Sequence, residues 1–127
     1  MKLLLDTHAF LWAISDQNLS PVAREAYLNR DNDLYLSAAS YWEICIKVSI
    51  GKLEVIPDWM NRFDTELVSN GIVWLAIDKA HCQQVLKLPA LHRDPFDRLL
   101  IAQAQCEGLT LLTADANMQH YSVPTLW

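Results

Sequence analysis

The feature that most constrains this chain is a set of short apolar runs with no polar face. Lys2-Leu3-Leu4-Leu5 and Leu109-Thr110-Leu111-Leu112-Thr113 are the clearest, joined by Leu34-Tyr35-Leu36, Ile72 to Ile77 and Val123 to Leu126. A strand with one solvated side alternates apolar and polar residues, whereas an unbroken apolar run suits a strand covered on both faces. The intervening segments carry helix signals. Phe10 to Ile14 reads as a short helix, and Ser20-Pro21 as a cap with proline at the first helical position, opening a helix to about Asn29. Tyr41 to Val48 lies in another, before a turn at Gly51, and its Ser40-Tyr41-Trp42-Glu43 matches a capping box. Asp58 is placed to cap a helix carrying Trp59, Phe63 and Leu67 and ending near Asn70-Gly71, and Asp78 a helix to about Lys87. Asp94-Pro95 opens the clearest helix, which ends at Gly108. Strands alternating with helices in this way imply an α/β fold: a parallel central sheet of about five strands flanked by helices on both sides, with residues 1–127 as one unit.

Composition narrows the function classes. At 127 residues and 52% hydrophobic content the chain is of single-domain size and can build its own core. No apolar run approaches the roughly 18 residues of a membrane span. Met1 to Leu5 resembles the start of a signal peptide, but Asp6 and His8 interrupt it and no small-residue cleavage site follows. Cys45, Cys82 and Cys106 are odd in number and far apart, set among apolar residues without metal-ligand spacing. A reducing, cytoplasmic compartment is expected, with the thiols acting as small hydrophobes. The formal net charge of −5 argues against a general polyanion-binding surface. It does not exclude a nucleic-acid substrate, because carboxylates that hold metal ions count as negative while the filled site attracts phosphate.

In a parallel sheet covered by helices, sites lie at the carboxyl ends of the strands. Asp6 ends the first strand, Glu43 falls just past the second, Asp97 lies in the first turn after Asp94-Pro95, and Asp115 follows the strand 109–113. Each has an ordinary structural reading. Asp6 and Asp94 suit helix caps, Glu43 can pair with Lys47 four residues on, and Asp115 can sit in a turn. Asp97 also heads the buried stripe of Leu100, Ile101 and Ala104, and a carboxylate facing that way needs a cation or several hydrogen bonds. Taken together the four acids are expected at one edge of one sheet. Clustered carboxylates repel unless a cation sits between them, and oxygen ligands without organised His or Cys favour Mg²⁺ or Mn²⁺ over zinc. Such a site suits metal-dependent phosphodiester hydrolysis.

Four segments in order, Leu4-Leu5-Asp6-Thr7-His8, Ser37 to Ile44, Asp94 to Ala102 and Gly108 to Asp115, give the chain a resemblance to the PIN-domain ribonucleases. Within that family it is similar to the VapC toxins of bacterial toxin–antitoxin pairs. The resemblance implies a quartet of Asp6, Glu43, Asp97 and Asp115, with Asp6 and Asp97 as the most direct ligands of Mg²⁺ (or Mn²⁺) and the other two acting partly through water. Asp94 is three residues early for the family aspartate and would assist as a cap, while Thr7 and Thr113 match the small hydroxyl residues flanking such pockets. It further implies a Mg²⁺-dependent endoribonuclease leaving 5′-phosphate and 3′-hydroxyl ends, a homodimer, and a cognate VapB-type antitoxin that blocks the site from an apolar groove. Trp59, Phe63 and Leu67 are the groove candidates; the same stripe also reads as core.

Other features are weaker. His92, Arg93, Arg98, Lys47 and Lys52 are placed to meet RNA phosphates or to be solvated, and His8 to bond locally or touch phosphate. His81 and His120 lack partner spacing and read as structural or exposed. Ser49-Ile50-Gly51-Lys52 lacks the glycine and hydroxyl residue of a phosphate loop. An aspartate-nucleophile phosphotransferase or phosphatase would need a partnering lysine or an Asp-x-Asp start, and Asp6-Thr7-His8 has no second acid. The non-enzyme alternative is an inactive PIN-like module that binds RNA or protein, against which stands the presence of all four acids.

Overall fold

The computed structural model describes all 127 residues. Five parallel strands, β1 (Lys2–Leu5), β2 (Asp33–Ser37), β3 (Val73–Leu75), β4 (Thr110–Leu112) and β5 (Thr125–Leu126), form one sheet in the order β3-β2-β1-β4-β5. Six helices surround it: α1 (Thr7–Ser15), α2 (Pro21–Leu28), α3 (Ala38–Ser49), α4 (Trp59–Ser69), α5 (Lys79–Val85) and α6 (Pro95–Glu107), with a 3₁₀ turn over Ala116–His120. The expected α/β architecture is the observed one.

The central strand shows why its run lacks a polar face. Leu3 and Leu5 point into one core with Phe10, Ala23, Ile44 and Phe63, while Leu4 points into the other with Leu100, Ile101 and Leu111. All three leucines are fully buried. Each contributes about 1.5–3 kcal/mol by burial, which anchors β1 between the two helical layers. The sheet edges are less covered, and the elements there are shorter than the sequence suggests. Val73 and Trp74 are exposed and β3 spans three residues. At β5 Pro124 has no N–H to donate; its carbonyl accepts from Leu111 N–H at 2.9 Å before the strand begins.

Helix ends follow their caps. Asp6 Oδ1 accepts from Ala9 N–H at 2.6 Å, so α1 starts at Thr7 rather than near Phe10. Ser20 accepts from Ala23 N–H, and Asp94 from Phe96 and Asp97 N–H, each with proline in the first turn. At α3 the sequence expectation is corrected. The cap is Ser37, whose hydroxyl accepts from Ala39 N–H at 3.0 Å and donates to Gln103 Oε1 at 2.5 Å. Ser40 lies inside the first turn, buried and without a hydrogen-bond partner. At α4, Asp58 precedes the helix but spends its carboxylate on the Asn61 side chain rather than on a backbone N–H. Gly108 closes α6 in the left-handed region, φ 66°, with its N–H donating to Ala104 O. Two of the thiols are not interior: all three cysteines are free, and Cys82 on α5 and Cys106 on α6 are exposed. No helix is long and apolar enough to cross a membrane.

Candidate functional site

Parallel pairing aligns the strand ends. Leu5 is in register with Leu36 on one side and Leu112 on the other, so Asp6, Ser37 and Thr113 leave the sheet at one rim. The chain departs from β1 toward β2 and returns to β4 on β1's opposite side, which makes the β1/β4 boundary a topological switch point. Helix α6 precedes β4 and runs back against it through Gly108, so its N-terminus also faces this rim.

The rim gathers all four sequence-derived acids. Asp6 and Glu43 are each only 6% exposed. Burial pushes the Asp6 carboxyl up from the ordinary range, and Asp115 adds to the rise; the Thr113 hydroxyl, the Ala9 N–H and His8 oppose it. Glu43 is fixed at both oxygens: Thr7 Oγ1 donates to Oε1 at 2.6 Å, and Lys47 Nζ lies 2.8 Å from Oε2. Asp97 feels the whole cluster. Its carboxyl is pushed up to about 7, first by burial, then by Asp94, Asp115, Glu43 and Asp6. Asp115 is half-buried at the start of the 3₁₀ turn; its N–H donates to Thr113 Oγ1 at 3.0 Å, and its Oδ1 accepts from Asn117 N–H.

The donor set fits a hard divalent cation. Lys47 is the single Lys or Arg ion-paired with the quartet, while His92 Nε2 stands 3.5 Å from Asp97 Oδ2. No three of the four acids bring ligand atoms within 4.8 Å of one another. Four carboxylates with one paired lysine carry an excess of negative charge, and a cation between them would offset both the repulsion and the burial cost. Asp78, His81 and Glu107 do converge within 4.8 Å, far along the fold. There His81 is buried with both nitrogens engaged, Nδ1 accepting from Asp78 N–H at 2.9 Å and Nε2 bonded to Glu107 Oε1 at 2.8 Å. It ties α5 to α6, so of its two sequence readings, structural or exposed, the structural one holds.

Arg98 and His92 differ from their sequence reading, while Lys47 pairs with Glu43 as its spacing suggests. Arg98 donates to Pro89 O at 2.8 Å and to Tyr121 Oη at 3.1 Å, pinning the loop before α6 instead of facing solvent for phosphate. Lys47 is committed to Glu43, whereas Arg93, Lys52 and His8 are exposed. His92 Nδ1 bonds Tyr121 Oη at 2.7 Å, which links the 3₁₀ turn to the loop holding Asp94. Nothing in the sequence joins Tyr121 to His92 across 29 positions. An apolar cleft of about 640 Å³ abuts the rim, lined by Thr7, Leu11, Trp12, Lys47, Trp59 and Phe63 among others. Leu67 packs against the core and does not line it, so one of the three groove candidates is removed.

A parallel α/β domain with an acidic, hydroxyl-flanked rim at its switch point is the class defined by fold and site. Residues 3–124 match the family model described as PIN domain, and the chain belongs to that family. A search of curated proteins by sequence finds no match. Among solved structures the fold is similar to VapBC2 from Rickettsia felis bound to a DNA fragment from their promoter, at 16% identity, TM-score 0.76, covering 99% of this chain and 98% of that one. It is also similar to FitAcB from Neisseria gonorrhoeae at 18% identity and TM-score 0.66, covering 98% and 96%. A toxin–antitoxin complex from Klebsiella pneumoniae gives 16% identity and TM-score 0.64, covering 98% and 96%.

Proposed function

We propose that this chain is a VapC-type toxin: a Mg²⁺-dependent endoribonuclease that hydrolyses RNA phosphodiester bonds and is held inactive by a VapB-type antitoxin. The single observation carrying this reading is Asp97, a half-buried carboxylate pushed up to about 7 by its burial and by four other acids at the same rim. Such a cluster costs stability unless a cation offsets its charge, which supports a role in holding one. Bound there, Mg²⁺ or Mn²⁺ supplies a Lewis acid beside a phosphodiester. Asp6 and Asp97 are the direct ligands in this reading, and Glu43 and Asp115 complete the set through water.

The remaining residues prepare that arrangement. Thr7 and Lys47 each hold one Glu43 oxygen, which fixes the orientation of that carboxylate. Thr113 receives the Asp115 N–H, and its hydroxyl favours the Asp6 carboxylate, so one side chain serves two acids that leave adjacent strands. Asp94 caps α6 and thereby presents Asp97 in its first turn. The antitoxin segment would enter the cleft between α1 and α4, where Trp12, Trp59 and Phe63 offer apolar contact next to Thr7 and Lys47. The solved relatives that are toxin–antitoxin complexes support this partner. A homodimer and a cytoplasmic location belong to the same reading.

The test is cleavage of purified RNA by the purified chain. Loss of cleavage on chelation, recovery with Mg²⁺ and absence of cleavage in Asp97→Asn would support the reading. Equal cleavage by Asp97→Asn and the native chain would remove the acidic rim from the mechanism.

A further inference from the structure

Two aromatic side chains beside the acids have no structural task in either core. Trp42 is 60% exposed, and it meets Phe96 edge to face with ring centroids 5.4 Å apart at 71°. Neither residue belongs to the two apolar clusters that hold the sheet between its helices. Of the other tryptophans, Trp12 lines the cleft and contacts Trp127, Trp59 packs on Phe63, and Trp74, also exposed, sits on the edge strand β3 against Tyr41. Trp42 immediately precedes Glu43 and Phe96 immediately precedes Asp97, so the pair bridges α3 and the start of α6 where the quartet gathers.

We propose that Trp42, braced by Phe96, is a stacking platform for an unpaired base of the RNA beside the acids. The inference rests on the nuclease reading and deepens it. Charge is the reason stacking is needed. Proteins usually grip nucleic acid by neutralising phosphates with Lys and Arg, but here 15 acids outnumber 10 basic residues, Lys47 is paired with Glu43 and Arg98 is turned onto Pro89 and Tyr121. A base laid on an exposed indole supplies affinity without a basic surface, and a stacked base must first leave its helix. Phe96 meets the indole at 71° and covers at most one of its faces, and with Trp42 60% exposed the other is open to a base.

The experiment compares cleavage of one short mixed-sequence RNA, single-stranded and annealed to its complement, by the native chain, Trp42→Ala, Trp42→Phe and Phe96→Leu, with circular dichroism and sedimentation on each. We expect the single strand to be preferred. In Trp42→Ala, KM should rise roughly 5- to 150-fold with kcat little changed, the range for loss of one base–aromatic stack. Trp42→Phe should recover most of the loss, and Phe96→Leu should show a smaller rise in KM. Replacing the nucleotide next to the mapped cut by an abasic one should penalise the native chain but add nothing in Trp42→Ala. Native cleavage with unchanged KM in folded Trp42→Ala would overturn the platform while leaving the nuclease intact. So would a change in oligomeric state with unchanged KM, which would assign this face to a second copy of the chain. Absence of cleavage by the native chain, in Mg²⁺ and with either RNA, would overturn the nuclease reading and the platform with it.

Discussion

At the scale of single residues, Asp97 carries a charge that its surroundings disfavour. Its carboxyl titrates near 7 in the fold against 3.8 for the free group, so the folded state binds a proton that the unfolded chain releases. The stability this confers is fully present below about pH 4 and is lost as pH rises through about 7. Asp6 is shifted in the same direction. The metal-free protein should therefore melt at a lower temperature at about pH 8 than at about pH 5.5. Saturating Mg²⁺ should shrink the difference, because a cation favours the deprotonated carboxylates. Melting curves at the two pH values, with chelator and with Mg²⁺, check this; a metal-free protein more stable at the higher pH would contradict it. Asp97→Asn removes the charge but keeps the shape, and with chelator its melting temperature should rise by roughly 3 °C or more. A fall would mean that Asp97 serves chiefly as a helix-start acid.

At the scale of elements, what was legible depended on whether a signal was local. The proline-opened helices α2 and α6, and the central strand β1, were readable because cap, proline and apolar run lie within a few residues of each other. The start of α3 was not, since Ser37 and Ser40 both precede a helical stretch and the Ser40–Glu43 spacing mimics a capping box. The choice is made by distant partners: Gln103 takes the Ser37 hydroxyl, and Thr7 and Lys47 take the Glu43 carboxylate. These assignments predict opposite effects for two similar substitutions. Ser37→Ala should cost about 1–3 kcal/mol, losing the cap and leaving Gln103 Oε1 without its donor. Ser40→Ala should be neutral or stabilising by up to about 1 kcal/mol, since its buried hydroxyl has no partner to lose. Denaturant unfolding of the two variants decides between the serines, and a larger loss in Ser40→Ala would return the cap to it.

At the scale of the whole molecule, alternation of strand and helix fixed the layers, and the rule that sites sit at strand carboxyl ends brought four acids from four segments to one rim. The surroundings of the rim were hidden, because they depend on contacts between residues far apart in the chain. Tyr121 reaches His92 and Arg98, and Trp42 meets Phe96 across 54 positions. The apolar cleft likewise combines α1, α4 and the segment Lys52 to Ile56, of which only the α4 aromatics carried a sequence signal. The rim and the cleft share Thr7 and Lys47, so a segment filling the cleft would cover residues that orient Glu43. One partner can thus block entry and disturb the acids together.

The most direct measurement is mapping of RNA 5′ ends in cells after brief induction of the native chain or of Asp97→Asn. New 5′-phosphate ends present only with the native chain are the predicted result, and their positions would identify the RNA that is cut. Identical ends with the two proteins, both soluble and folded, would contradict the assignment of this chain as a nuclease acting through its acidic rim.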